Sequence, residues 1–448
     1  MPRAVMGLLF YPRGGSAQVT RSLARQLPSC GWEVTVVSGS LGEGGRTDAR
    51  QFFDGLDVRA VDYTAAAEAA DPLAADPPMH PSYEDRSDAP DRVFARVDDS
   101  GYERLVGAWA RELEAAGAAD ADVLHLNHLT PLNEAASRIA AGTPVVGHIH
   151  GTELLMLEEI ADGPPEGWDH AQAWVERMRR WMDACAGIVV LSPTQLERLE
   201  ELLGVGADRC TVVPNGFDPD TFRPRDVDRL AHWRRHLVEC PQGWRPGGEP
   251  GSVRYGEDDL EPFADGPVLL YVGRYTSVKR VGLLIRAHAR AQERFAKRAP
   301  LVLLGGFPGE WEGEHPLETV EATGARDVFL AGWHEHADLP EFLATSDVVV
   351  LPSVREQFGQ VIVEGMACGL PPIAVDAYGP AEIVDDGETG WLVPPDDEAV
   401  LADALVEAVN DRGERRRRGE AARTVAADRY SWPELAHRVA SLYDAVMR

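Results

Sequence analysis

Residues 352–371 read PSVREQFGQVIVEGMACGLP and set two glutamates, Glu356 and Glu364, eight positions apart across a strand-to-helix turn. Val348 to Leu351 is an apolar run of strand length, Gly359 to Cys368 carries helical periodicity, and Gly369 with Pro371 is a stop signal. Glu356 therefore falls in the turn and Glu364 about one turn inside the helix. In an open α/β sheet such a turn lies at the carboxyl edge, where the free N–H groups around Phe358 and Gly359 face a crevice and attract anions. A carboxylate in the turn can accept hydrogen bonds from sugar hydroxyls, and one a turn deeper can take both hydroxyls of a ribose. Alone, the pair reads equally well as a helix-capping acid and a solvated helix acid.

A second pattern lies upstream. Val268 to Val272 (VLLYV) is a short apolar run ending in Gly273 and Arg274; after four intervening residues Lys279 opens the helical pattern KRVGLLIRAHARAQERF. This strand, turn and helix place two fixed cations over the strand's carboxyl end, where they can meet the charge of a departing diphosphate. Ordinary surface charge is the competing reading. Against it, the chain has only two lysines, Lys279 and Lys297, among 44 Lys and Arg residues, so a retained lysine at this place is informative.

With these patterns, the C-terminal half resembles the retaining glycosyltransferases of family four, which have the two-domain GT-B fold. The matching pieces are VGRYTSVK (272–279), LVLLGG (301–306), SDVVVLPS (346–353), the E-x7-E segment and AEIVDDGETGWLVPPDD (381–397). In the N-terminal half, YPRGGSAQVTRSLARQL (11–27), HIHGTE (148–153), VVLSP (189–193) and VVPNGFD (212–218) fall where that family has its own signposts. The resemblance implies two Rossmann-like, doubly wound parallel-sheet domains facing a central cleft. It implies a nucleoside-diphosphate sugar as co-substrate, UDP before GDP, with neither metal nor other cofactor. Arg274 and Lys279 would meet the diphosphate beside Gly273, Phe358 and Gly359, while Glu364 grips the ribose and Glu356 orients the sugar. His150 would stand near the transferred sugar, Gly14 and Gly15 would complete the cleft, and Trp333 with His334 is the expected base pocket. No enzymatic nucleophile is named; the leaving phosphate itself would assist same-face attack.

Bulk properties bound the rest. At 448 residues and 44% hydrophobic the chain can build two cores. A formal charge of −29 argues against nucleic acid or anionic lipid as partner, since both need a basic face. The basic run Arg415 to Arg418 is read as a solvated helix face. Cys30, Cys185, Cys210, Cys240 and Cys368 are odd in number and scattered, which predicts neither disulfide framework nor zinc site and fits a cytoplasmic protein. Val5 to Tyr11 reads as a first strand, not a signal peptide, and no segment approaches the roughly 20 apolar residues of a membrane span. In AWVERMRRWMDACAG, Trp174, Met178 and Trp181 share a face near Arg177 and Arg180; this is a core stripe before it is a membrane-surface helix.

Strands and helices alternate through residues 5–215, predicting a doubly wound, mainly parallel sheet. Gly14 and Gly15 follow the first strand and precede a helix capped by Ser16, an incomplete dinucleotide fingerprint. His150 is at a strand's carboxyl end, whereas His125 and His148 read as internal histidines; no H-x-x-E-H cluster supports a metal. Between Ala65 and Asp99 the alternation dissolves into Pro/Asp/Ala-rich sequence, expected to be an unpacked acceptor-side loop or plain decoration. A second break, 240–267, separates the halves. The expected division is residues 1–217, completed by the helix 431–448; a linker or insertion, 218–265; and a donor domain, 266–430. The acceptor is expected to be a small soluble molecule, neutral or cationic. A lipid or polysaccharide acceptor, a GT-B phosphorylase or epimerase, and a nucleotide-sugar-binding regulator without turnover are the competing readings.

Overall fold

The computed structural model describes residues 1–12, 14–84, 92–356 and 358–448. The chain divides into two compact units, Met1–Asn215 with Trp432–Arg448, and Gly216–Ser431.

In the first unit seven strands run β1 Arg3–Leu8, β2 Glu33–Ser40, β3 Asp57–Asp62, β4 Val123–Asn127, β5 Val145–His148, β6 Gly187–Val190 and β7 Cys210–Val212. All pair in parallel, in the order β3-β2-β1-β4-β5-β6-β7. The order reverses at β1, and right-handed crossovers then place helices on both faces. Strand alternation shows this in the core: Ala4, Met6 and Leu8 pack with Leu435, Val439 and Tyr443 of the final helix, while Val5 joins the opposite cluster with Leu124 and Trp109. The helix Trp432–Val446 thus belongs to the first unit, with Tyr443 Oη 2.5 Å from His125 Nδ1 on β4.

The second unit has β8 Leu269–Val272, β9 Leu301–Leu304, β10 Val328–Gly332, β11 Val348–Leu351, β12 Pro372–Val375 and β13 Trp391–Val393, all parallel, in the order β10-β9-β8-β11-β12-β13. Both units are therefore Rossmann-like, with switch points between β1 and β4 and between β8 and β11.

Several expectations need correction. Residues 218–265 are not a linker: Trp233, Leu237, Trp244, Leu260 and Phe263 are buried in the core of the second unit, and Trp244 Nε1 donates to Gly306 O at 2.8 Å. Nor is the segment 65–99 unpacked. Leu73, Met79, Tyr83, Val93 and Phe94 are buried in the first unit, Ser82 bridges to Val93, and Tyr83 Oη donates to Leu129 O at 2.8 Å. Pro and Asp had masked apolar residues too irregularly spaced to show a period. Part of that segment, 85–91, lies outside the described residues.

Ser16 is inside the helix Gly15–Gln26, whose N-cap is Gly14, without a side-chain cap. The basic run is a solvated face only at Arg416 and Arg417, which are exposed. Arg415 Nη1 caps the carbonyls of Ala408 and Val409, and buried Arg418 donates to Gly390 O and lies 4.1 Å over the Trp391 ring. Trp174, Met178 and Trp181 are buried in the first core, so the stripe is a packing face. No helix among the described residues is long and apolar enough to cross a membrane.

Candidate functional site

The turns after β8 and β11 are brought together because these strands are neighbours at the switch point of the second sheet. Each turn is held by its own bonds. Tyr271 Oη donates to Arg274 O at 2.7 Å, and Glu312 Oε2 accepts from Ser277 N and Oγ at 2.9 and 2.8 Å. Val354 N donates to Val278 O at 3.0 Å, joining one turn to the other. Across this junction Lys279 Nζ pairs with Glu356 Oε2, both side chains being largely shielded. The guanidinium of Arg274 is exposed and has no ion-pair partner among the described residues. Beside Gly273, the β9 turn comes so close that a Cβ on Gly305 would stand 2.3 Å from Gly273 O, at a φ of +123°.

Gly359 begins the next helix, Gln360–Ala367, at a φ of +97° that a side chain would strain. Phe358 is buried, its ring 6.0 Å from Tyr430. Glu364 is buried in the helix, where its Oε1 accepts from His336 Nε2 at 2.8 Å and Gln360 Nε2 at 3.1 Å. Gln360 Nε2 also donates to Gly216 O at 2.8 Å. The sequence reading missed both partners of Glu364, although Gln360 is four residues earlier on the same helix face.

Trp333 and His334 follow β10 and part company. Trp333 is half-exposed, with Phe307 edge-on at 6.2 Å. His334 turns inward against Phe342 (4.7 Å) and His236 (4.9 Å), and burial pushes its imidazole below the usual value. As a wall of a base pocket His334 is thus less well placed than Trp333 and than His336, which reaches Glu364.

In the first unit, a cavity of about 260 Å³ opens at the carboxyl edge, lined by Gly14 and Gly15 after β1, His128 after β4, His150 after β5 and Asn215 after β7. His150 Nε2 is 2.9 Å from Asn127 Oδ1, and Asn127 Nδ2 in turn donates to Gly7 O, which makes the histidine Nε2 the donor. The ring stacks on His148 at 4.3 Å and lies 4.4 Å from His128. Burial, then the neighbouring imidazoles, holds both His148 and His150 well below the ordinary histidine pKa. His125 uses both ring nitrogens, on Tyr443 and His148, as an internal histidine should, and burial pushes it down to about 3.

Two residues here escaped the sequence reading: His128, in the cavity wall, and Glu153 behind it. Glu153 is fully buried; its carboxylate accepts from His150 N at 3.1 Å and pairs with His128 Nδ1 at 3.3 Å. Burial opposes its ionisation, but His128 and the backbone N–H groups prevail and hold the carboxyl below its usual value. The available signal was position: His128 follows β4 as His150 follows β5.

Residues 13–221 match the family model described as Glycosyltransferase Family 4, and residues 257–425 the one described as Glycosyl transferases group 1. The D-inositol 3-phosphate glycosyltransferase of Stackebrandtia nassauensis is 31% identical over 339 residues, covering 73% of this chain and 69% of that protein. The chain belongs to glycosyltransferase family 4. A further relative of this glycosyltransferase is the alpha-D-kanosaminyltransferase of Streptomyces kanamyceticus, 28% identical over 368 residues, 77% of this chain and 85% of that one. Among solved structures, Anabaena Alr3699/HepE in complex with UDP-glucose superposes with a TM-score of 0.65 at 19% identity, covering 99% of each chain. The sucrose-phosphate synthase from Thermosynechococcus elongatus gives 0.64 at 19% identity, over 99% of this transferase and 98% of that chain. These likenesses establish the GT-B fold of the transferase.

Proposed function

We propose that this family 4 glycosyltransferase moves a hexose-type sugar from a nucleoside-diphosphate sugar, UDP before GDP, to a small hydroxylated acceptor, with retention at the anomeric carbon and without a metal ion. The observation that carries the reading is the junction of Lys279 and Glu356 beside Arg274 and the helix start at Gly359. It gathers two cations and free N–H groups at the switch point of the second sheet, where a diphosphate gains charge as it departs. UDP and UDP-glucose are bound by the structural neighbour from Anabaena, which supports UDP as the first donor to try.

In this reading Arg274 and Lys279 neutralise the leaving diphosphate, so no divalent cation is required. Glu364, held in one rotamer by His336 and Gln360, accepts from the ribose hydroxyls, and Glu356 accepts from the sugar. The bond from the anomeric carbon to the phosphate oxygen breaks as the acceptor oxygen bonds to the same face, and the acceptor's hydroxyl proton passes to the departing phosphate. The cavity of the first unit, with Gly14, Gly15 and His150 in its wall, is assigned to the acceptor. Relatives named as sugar transferases support this reading over the phosphorylase, epimerase and non-catalytic ones.

The test is a donor screen with purified protein. UDP-glucose, UDP-N-acetylglucosamine and GDP-mannose are offered, and release of the nucleoside diphosphate is followed with EDTA present. Proton NMR of any glycoside formed reads the anomeric configuration. Release from at least one donor and an unchanged anomer are expected; an inverted product would refute retention.

A further inference from the structure

The wall of the first unit's cavity holds two buried hydrogen-bond acceptors without a partner among the described residues. His128 is almost fully buried, and its Nε2 has no hydrogen-bond partner among the described residues. Its Nδ1 faces the buried Glu153 carboxylate at 3.3 Å. An ionised carboxylate only accepts, so Nδ1 carries a proton, and in the neutral form of such a ring Nε2 keeps its lone pair. Asn215 Oδ1, on the same wall, is a second buried acceptor without a partner among the described residues. Glu84, exposed at the rim, is a third group that only accepts.

The ring is also fixed in place. The backbone of His128 is at a φ of +65°, a conformation that costs a non-glycine residue on the order of 1 kcal/mol or more and persists only where its surroundings impose it. Here they do: His128 N donates to His148 O at 2.8 Å and His128 O accepts from Asn133 Nδ2 at 3.1 Å. Among the described residues of the wall there is neither lysine nor arginine; Arg13, adjacent in sequence, lies outside the described residues. Buried acceptors left unpaired are costly, and a ligand rich in O–H or N–H donors removes that cost. At His128 Nε2 and Asn215 Oδ1 a phosphate or carboxylate does the reverse, adding lone pairs to lone pairs.

We propose that His128, oriented by Glu153, is the residue that reads the acceptor substrate: its Nε2 takes a hydrogen bond from a hydroxyl or ammonium group of a polyol or amino-polyol, and together with Asn215 it discriminates against a phosphate group at that position. This rests on the assignment of the cavity to the acceptor, made above.

The experiment is NMR on the full chain, ¹⁵N-labelled at histidine and methyl-labelled at leucine, titrated separately with myo-inositol, D-glucosamine and myo-inositol 1-phosphate. The free protein should show His128 as the Nδ1–H tautomer with a pyridine-type Nε2, and Glu153→Gln should perturb that signature. Myo-inositol or D-glucosamine should shift Nε2, and the phosphate ester should bind roughly 10-fold more weakly, the worth of about one hydrogen bond. An Nε2–H tautomer in the free protein, or tighter binding of the phosphate ester, overturns the proposal. Leu191, on the same wall, separates the two assignments. If its methyls shift while His128 is silent, the cavity binds the acceptor and the role of His128 fails. If neither moves with any probe at about 50 mM, above the Kd of even millimolar binding, both assignments fail. His128→Phe provides a second reading: it should weaken binding of myo-inositol or D-glucosamine by about 10-fold, and unchanged affinity counts against the proposal.

Discussion

Lys279 Nζ and Glu356 Oε2 form an ion pair between the turns after β8 and β11, with each side chain only 19% exposed. The pair holds the lysine over the switch point but also neutralises it. A diphosphate must therefore compete with Glu356 for Lys279, whereas Arg274 is exposed and stands ready.

The first prediction follows from that difference. Lys279→Ala and Arg274→Ala should each lower kcat by roughly 100-fold, about 3 kcal/mol of lost charge stabilisation at the leaving group. Lys279→Ala should also lower the melting temperature, because Glu356 is left partly buried without its cation. Steady-state rates with thermal melts read both effects. Wild-type turnover in both variants would remove the diphosphate assignment.

Glu364 offers a separable effect. Its Oε1 already holds His336 and Gln360, so the carboxylate is pre-oriented before any ribose arrives. Glu364→Ala should weaken UDP by about 30-fold, or 2 kcal/mol, the worth of charge-assisted hydrogen bonds to two hydroxyls. Calorimetric titration should show this loss with UDP and a smaller one with 2′-deoxy-UDP. Equal losses for the two nucleotides would place Glu364 away from the ribose.

Metal independence is tested by chelation. If Arg274, Lys279 and the helix start at Gly359 supply the charge, then millimolar EDTA should leave the rate within about 2-fold of its starting value, since no ion is then needed to stabilise the leaving group. Loss of activity restored by Mg²⁺ or Mn²⁺ would show that these groups do not suffice.

The second unit was the more legible one because its chemistry is carried by local spacing. Arg274 to Lys279 and Glu356 to Glu364 each span one turn between a strand and its helix, so a linear pattern contains their geometry. The first unit's site comes from the ends of separate strands and from the segment containing Tyr83, and no spacing in the chain announces that His128 will face Glu153. Trp233 and Trp244 were lost for a related reason: Trp233 packs from a six-residue helix and Trp244 from irregular backbone, both too short or too irregular to show a period. The resemblance to a family fixed the architecture, but not which side chains close the wall.

The buried histidines predict a pH response. His125 is pushed by burial from 6.5 to about 3, so the folded state keeps it neutral while the unfolded chain takes up a proton near 6.5. A depressed pKa of this kind contributes stability that is complete above about pH 6.5 and is lost progressively as pH falls toward 3. At pH 5 the penalty from His125 is roughly 2 kcal/mol. His125→Asn should therefore be markedly destabilised at pH 7.5, through loss of the Tyr443 and His148 contacts, with the gap to wild type narrowing by that amount at pH 5. Chemical denaturation at the two pH values measures the gap, and a constant difference would mean that His125 titrates normally in the fold.

The segment 70–95 is where sequence and structure disagree most, and it gives the last prediction. An unpacked loop could be deleted without cost to the fold. Instead Phe94 is fully buried with its ring 4.9 Å from Trp174 and 4.8 Å from Tyr83, and Phe94 N donates to Ser82 O at 2.8 Å. Trp174 Nε1 donates to Val97 O at 2.9 Å, so the helix Ala171–Ala184 is fastened to the end of the same segment. Phe94→Ala should then cost about 3–5 kcal/mol, the usual penalty for emptying a buried aromatic site. That is a large share of the 5–15 kcal/mol that typically holds a domain together, so deletion of the whole segment should leave the first unit unable to fold. Urea denaturation followed by tryptophan fluorescence reports directly on Trp174 and its neighbours. A cost below about 1 kcal/mol for Phe94→Ala, less than an ordinary core truncation, would show that the segment only rests on the first unit.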